Sequence, residues 1–216
     1  MRSSEAKPQP KSPPKPRPNP RGLRIVGGVH RGRRLIAPPG EAVRPTSDRA
    51  REALFNILSH GRFAAEGLPF ADQPVLDAFA GTGALGLEAL SRGASAAAFI
   101  ENGREALAAL RHNIAALGEE DRVHVVAGDA TRPPRAALVC AVALLDPPYR
   151  SGLAAPALSA LAKAGWLLPD ALAIVEVAAR EAFAASTGFA IIDERVYGAA
   201  RLVFLRYNGA ATGGEE

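Results

Sequence analysis

The chain has 216 residues, 48% of them hydrophobic and 22% charged, which are the proportions of a soluble globular protein with one domain of ordinary size. No apolar run approaches the ~18 residues of a membrane span, and the basic start MRSSEAKPQPKSPPK lacks the apolar stretch of a secretory signal, so a cytoplasmic protein is expected. The net charge of +4 hides an asymmetry: residues 1–51 carry 13 Lys and Arg against 3 acids, which points to a polyanionic partner such as nucleic acid.

Residues 1–21 form a basic tail whose first twenty positions hold seven prolines and almost nothing apolar, a composition that cannot offset the entropy of ordering. Disorder is expected there. A patterned segment follows, LRIVGGVHRGRRLIAPPG, in which apolar residues flank Gly27-Gly28 and Gly32. It reads as a small β-hairpin bearing Arg24, Arg31, Arg33 and Arg34. In VRPTSDRAREALFNILSHG, Thr46, Ser47 and Asp48 are competent helix caps, Gly61 is a stop, and Ala50, Leu54, Ile57 and Leu58 share one face. Residues 22–60 are thus expected to form a nucleic-acid-binding hairpin and helix.

From residue 61 to 208 strands and helices alternate. QPVLDAFAGTG, SAAAFIEN, DRVHVVAGDA, LVCAVALLDPPY and ALAIVEVA are strands, and ALGLEALSRGA, GREALAALRHNIAALG and SGLAAPALSALAKAG are helices. Pro156 falls in the first turn of the last helix, where a missing N–H matters least. GFAIIDERVYGAARLVFLRYN closes the chain as an antiparallel pair, before a frayed tail from 209 to 216. This order implies an α/β fold: a mostly parallel sheet with an antiparallel C-terminal strand and helices on both faces.

Three acids stand at successive strand ends. DAFAGTGALG sets Gly81, Gly83 and Gly86 in a G-x-G-x-x-G frame between a strand and a helix, a turn that lets a ligand approach the backbone. Asp77, four residues before the first glycine, would repel a pyrophosphate and attract a cation. Glu101 ends the second strand, where it can accept the hydroxyls of an adenosine ribose; Asp129 ends the third, where it can accept an adenine amino group while Ala130 supplies an N–H.

The fourth strand stops at Asp146-Pro147-Pro148-Tyr149. The amine of a nucleobase is a poor nucleophile because its lone pair is delocalised into the ring. A carboxylate and a backbone carbonyl fixed by Pro147 can each accept one N–H and turn that lone pair toward an electrophile, while Tyr149 offers a stacking surface worth roughly 1–3 kcal/mol per base. The sulfonium methyl of S-adenosylmethionine suits the electrophile, with alignment and electrostatics supplying most of the acceleration. His30, His60, His112 and His124 are scattered without metal-ligand spacing, so no metal is expected. Cys140 reads as a small buried hydrophobe.

D-x-F-x-G-x-G-x-x-G with D-P-P-Y resembles a Rossmann-like class I S-adenosylmethionine-dependent methyltransferase with a seven-stranded sheet. RIVGGVHRGRRL at 24–35, RPTSDRAREALFN at 44–56 and FAGTGALGLEALSRGA at 79–94 are similar to the bacterial 16S ribosomal RNA guanine-N2 methyltransferase family, over Leu23 to Tyr207. The resemblance implies a monomer acting on 16S rRNA of the small ribosomal subunit. It assigns Asp77, Phe79, Gly81, Thr82, Gly83, Glu101, Asn102, Asp129, Ala130, Arg44 and Thr46 to the cofactor, and Asp146, Pro147 and Tyr149 to the amine. Arg24, Arg31, Arg33, Arg34, Arg49 and Arg51 fall to the RNA. Rival readings are a DNA adenine-N6 or cytosine-N4 methyltransferase, for which no long target-recognition insertion is present, a noncatalytic ribosome assembly factor, and a nicotinamide-dependent dehydrogenase, disfavoured by Asp77.

Overall fold

The computed structural model describes residues 22–38, 45–60, 63 and 70–209, with the side chains of 45–49 outside the described set. The expected tail at 1–21, Arg44, and all of the C-terminal tail after Gly209 also lie outside it.

Seven strands, β1 (Pro74–Ala78), β2 (Ala96–Glu101), β3 (Val123–Ala127), β4 (Cys140–Leu145), β5 (Leu167–Ala178), β6 (Phe189–Tyr197) and β7 (Ala200–Tyr207), make one sheet in the order β3-β2-β1-β4-β5-β7-β6. All neighbours are parallel except β7, which runs against both β5 and β6. The order reverses between β1 and β4. In open α/β sheets such a reversal, where the connections leave to opposite faces, is where ligands bind at the carboxyl ends of the strands.

Both faces are covered, as runs such as VLDA and AVALL require. On one side α1 (Pro45–Ser59), α2 (Ala84–Ser91) and α3 (Arg104–Leu117) bring Phe55, Leu58, Leu87, Leu90 and Leu110 onto Val75, Phe99, Leu144 and Phe204. On the other, α4 (Ala154–Lys163) packs Ala157, Leu158 and Leu161 against Leu76, Ala98, Ala143 and Val175. Each such Leu, Val or Phe stabilises the fold by roughly 1.5–3 kcal/mol.

Several boundaries move. Helix α1 begins at Pro45, ahead of the Thr46–Asp48 caps, since a proline's missing N–H costs nothing in the first helical turn. β4 starts at Cys140, where its N–H first finds a partner in the Trp166 carbonyl, two residues later than Leu138. β5 starts at Leu167, four residues before Ala171, because Leu167 already pairs with Cys140 ahead of an irregularity that resumes at Val142–Leu172.

The N-terminal segment folds back on itself as a short antiparallel hairpin: Arg24 bridges Arg34, the Leu35 N–H donates to the Leu23 carbonyl at 2.9 Å, the Ile25 N–H to the Arg33 carbonyl at 3.0 Å and the Gly32 N–H to the Ile25 carbonyl at 2.9 Å. It is also bound to the sheet domain. Leu23, Ile25 and Leu35 enter the same core as α1, α2 and α3, so the hairpin and α1 share their interior with the sheet domain. At the C-terminal end of α2 the Val29 N–H donates to the Ser91 carbonyl at 2.8 Å, and the Ser91 hydroxyl donates to the Gly27 carbonyl at 2.6 Å. Fully buried Glu88 accepts the Val26 N–H and pairs with Arg92, whose guanidinium lies over the Phe55 ring. Gly28, at φ +76°, is required here, because a Cβ would stand 1.8 Å from the Ser91 carbonyl oxygen.

Candidate active site

The glycine loop leaves β1 through Phe79, a non-glycine residue at φ +63°, in the left-handed region where strain of 1–3 kcal/mol concentrates at functional sites. The three glycines divide their work. A Cβ on Gly83 would strike the Leu110 side chain at 2.3 Å and one on Gly86 would strike the Phe99 ring at 2.4 Å, so these two let α2 sit close to β2 and α3. Gly81, at φ +55°, has nothing within 4 Å of a Cβ and leaves its face of the loop open to a ligand. Half-buried Thr82 turns its carbonyl to Asn113 of α3, at 2.9 Å.

Asp77 is 1% exposed and its Oδ2 accepts the Gly86 N–H at 2.8 Å. Burial pushes its carboxyl well above the usual range; the Gly86 bond opposes this, and the charges of Asp146 and Glu101 reinforce it. Asp77 thus pins the glycine loop from within.

Glu101 is more fully engaged than its position suggested. Its Oε2 accepts the Gly81 N–H at 2.7 Å and its Oε1 accepts the N–H groups of Asn102 and Gly103 at 2.9 and 2.6 Å. A carboxylate offers about four acceptor directions, so the ribose role remains open at Oε2. Exposed Asn102 contributes its backbone to this arrangement. Asp129 forms a turn with Thr131, accepting both its N–H and its hydroxyl at Oδ1; those bonds hold its carboxyl below the usual range, so it stays an acceptor. Ala130 beside it is buried.

Across the switch point, Ala78 is in register with Ile100 and Leu145, and Leu145 with Val175. The next residues, Glu101, Asp146 and Glu176, therefore stand at one level along the carboxyl edge. Asp146 is exposed, Pro147 buried and Tyr149 half-buried, and the Tyr149 hydroxyl donates to Glu176 Oε1 at 2.6 Å. Glu176 was missed from the sequence, although one acid inside the apolar run AIVEVA was a signal that could have found it.

The arginines separate into two groups. Arg24, Arg31, Arg33 and Arg34 are exposed, and Arg33 also donates to the Ala116 carbonyl at the end of α3. Arg51, expected at the RNA, is 4% exposed and donates to the Arg24 carbonyl at 2.9 Å, so its cation supports the N-terminal loop from beneath. Thr46 and Arg49 belong to α1, with side chains outside the described residues. No His, Cys, Asp and Glu grouping among the described residues could hold a metal ion. An open cleft of about 890 Å³ between α1 and β6, lined by Asn56, Ile57, His60 and Tyr197 among others, takes in none of the strand-end acids.

Sheet order, glycine loop and strand-end acids together define a class I, Rossmann-like methyltransferase fold. Its residues fit an adenosyl sulfonium: an open glycine backbone, a ribose-level carboxylate, and an acid whose proton affinity is raised by burial first and by its acidic neighbours second. The chain belongs to the family described as Conserved hypothetical protein 95, whose model matches residues 23–206. It is 39% identical over 154 residues to ribosomal RNA small subunit methyltransferase D of Escherichia coli, covering 71% of this chain and 74% of that one. To the protein of the same name from Haemophilus influenzae it is 34% identical over 187 residues, or 84% and 92% of the two chains. The solved structure of Escherichia coli yhhF superposes with a TM-score of 0.71 at 34% identity, over 87% of this chain and 98% of the other.

Proposed function

We propose that the chain is an S-adenosylmethionine-dependent methyltransferase of small-subunit ribosomal RNA, modifying the exocyclic N2 of one guanine in 16S rRNA and acting as a cytoplasmic monomer. The observation that carries this reading is the Asp146-Pro147-Pro148-Tyr149 corner, one strand from an open glycine loop and at the level of Glu101. The relatives' names favour ribosomal RNA over DNA.

Glu101 and the Asp129–Ala130 turn hold the adenosine, the Gly81 face receives the chain of the cofactor, and Arg44 and Thr46 are assigned to its methionine end by the family resemblance alone. When bound, the cofactor supplies an electrophilic methyl on a positively charged sulfur. The chain's own residues prepare the acceptor. Tyr149, anchored through its hydroxyl, carries the extruded base on its ring. Asp146, exposed at the carboxyl edge, accepts one N–H of the amine, and a backbone carbonyl fixed by Pro147 accepts the other. Both acceptors strengthen their hold as positive charge develops on the nitrogen, which is where preorganised electrostatics lowers a barrier. Arg24, Arg31, Arg33 and Arg34 bind the RNA phosphates.

Small subunits, naked 16S rRNA and duplex DNA, each given radiolabelled cofactor, are the test, with mass-spectrometric mapping of the product. Methyl on guanine N2 of 16S rRNA is expected, and Asp146→Ala is expected to lower turnover by about 10²–10³-fold with cofactor affinity near normal. Label on DNA alone, or a fully active Asp146→Ala, overturns the reading.

A further inference from the structure

Glu176 has no part in the assignments above, yet it shares the corner that carries them. Its strand, β5, is otherwise apolar on this stretch, with Ile174 in the α1–α3 core and Val175 in the α4 core. Alternation sends the Glu176 side chain to the α1–α3 face, the same face as Asp77 and Glu101. It is half-buried, follows Val175 just as Asp146 follows Leu145, the register partner of Val175, and receives the Tyr149 hydroxyl at 2.6 Å. A burial cost of this kind is out of place in a strand that needs only apolar packing.

The bond to Tyr149 fixes what Glu176 can reach. A base stacked on that ring brings its edge to the phenol end, where the carboxylate lies. An ionised carboxylate accepts hydrogen bonds and donates none. Guanine presents adjacent donors, N1–H and the N2 amine, whereas an aminopurine without the N1 proton turns a lone pair toward the same place.

We infer that Glu176 is the residue that selects guanine, accepting N1–H while Asp146 accepts the amine, with Tyr149 held between them. The inference rests on the guanine-N2 reading and gives that reading its base specificity. A carboxylate facing the N1 lone pair is repulsive as well as unbonded, so discrimination comes from both terms. Glu176 leaves the transferred methyl group and the cofactor untouched.

The test uses full-length protein and small subunits reconstituted around ligated 16S rRNA carrying guanine or 2-aminopurine at the mapped nucleotide. 2-Aminopurine keeps the reactive amine and lacks both the N1 proton and the O6 carbonyl, and the Glu176 variants separate the two losses because an acceptor-only carboxylate can bond N1–H but not O6. The wild-type protein is expected to prefer guanine in kcat/KM by on the order of 10- to 100-fold. Glu176→Gln, whose amide can donate to N1, should shrink that ratio by about tenfold or more, and Glu176→Asp, still an acceptor only, should keep it. Where turnover is too slow to measure, the ratio of equilibrium affinities for the two RNAs is read instead, and S-adenosylhomocysteine titration confirms an intact fold. A ratio unchanged in Glu176→Gln, or lost equally in Glu176→Asp, overturns the inference. A wild-type protein inactive on guanine N2 would instead overturn the parent reading, so the two failures are separable.

Discussion

Gly28→Ala is the sharpest probe of how the basic loop is held. Its backbone sits at φ +76°, a conformation that costs an L residue about 1–2 kcal/mol. The added methyl would meet the Ser91 carbonyl oxygen at 1.8 Å and its carbon at 2.2 Å, both backbone atoms that no rotamer change can move aside. The loop must lift, and with it go the bond from Val29 N–H to the Ser91 carbonyl, 2.8 Å, and that from His30 N–H to the Ser91 hydroxyl oxygen, 2.9 Å. At about 0.5–1.5 kcal/mol each, these bring the loss to roughly 2–5 kcal/mol, or on the order of 10 °C in Tm for a chain of this size. Gly32→Ala is the control: φ is +84° but nothing lies within 4 Å of the new atom, so only the conformational cost applies. Calorimetry and urea titration of both variants, with RNA binding measured alongside, read the difference. Equal losses in the two variants would show that contact with α2 contributes nothing to seating the loop.

The other expectations concern charge and reactivity. Asp77 has a folded-state affinity for protons raised above its ordinary value of 3.8, so between that value and its folded pKa the native state binds more protons than the unfolded one. Its contribution to stability is present below 3.8 and lost as pH rises through the folded value; Asp77→Asn, which still accepts the Gly86 N–H, should remove this slope, stabilise the ligand-free protein at pH 7 and weaken sulfonium binding, as thermal shifts with and without S-adenosylmethionine would show. A steeper slope in the variant refutes the assignment. Burial pushes the Cys140 thiol up to about 12, so iodoacetamide at pH 8 should label it only after unfolding, and rapid labelling of native protein would contradict the buried placement. Replacing Arg31, Arg33 and Arg34 with Gln should reduce the slope of log affinity against log salt by roughly 2–3 on RNA; an unchanged slope would mean that these side chains miss the phosphates.

The sequence made the catalytic edge legible because each of its parts is local. Asp77 and Gly81 are four residues apart, and Asp146 adjoins the prolines that end its strand. Periodicity placed Glu101 and Asp129 at strand ends, and strand-helix alternation then put all of them on one edge. The seating of the N-terminal loop was not legible, since Val26 meets Glu88 and Ile36 meets Asn113 over more than sixty residues of intervening chain. Arg51 looked like its neighbours in composition, and only packing distinguishes a cation that supports a loop from one that faces solvent. Glu176 was visible as an isolated acid, but its meaning depends on a partner, Tyr149, contributed by the turn that follows a different strand.

One buried side chain ties the two halves of the molecule's work together. The Asn113 amide donates to the Thr82 carbonyl of the glycine loop at 2.9 Å and to the Ile36 carbonyl at 3.0 Å, while its oxygen accepts the Ile36 N–H at 2.8 Å. Neither the glycine loop, proposed to receive cofactor, nor the arm that carries the arginines can slide without stranding polar atoms away from water, at about 1–3 kcal/mol apiece. The carboxamide is thus a rivet through two plates, and it sets the spacing between the glycine loop and the arginine-bearing arm within the folded chain.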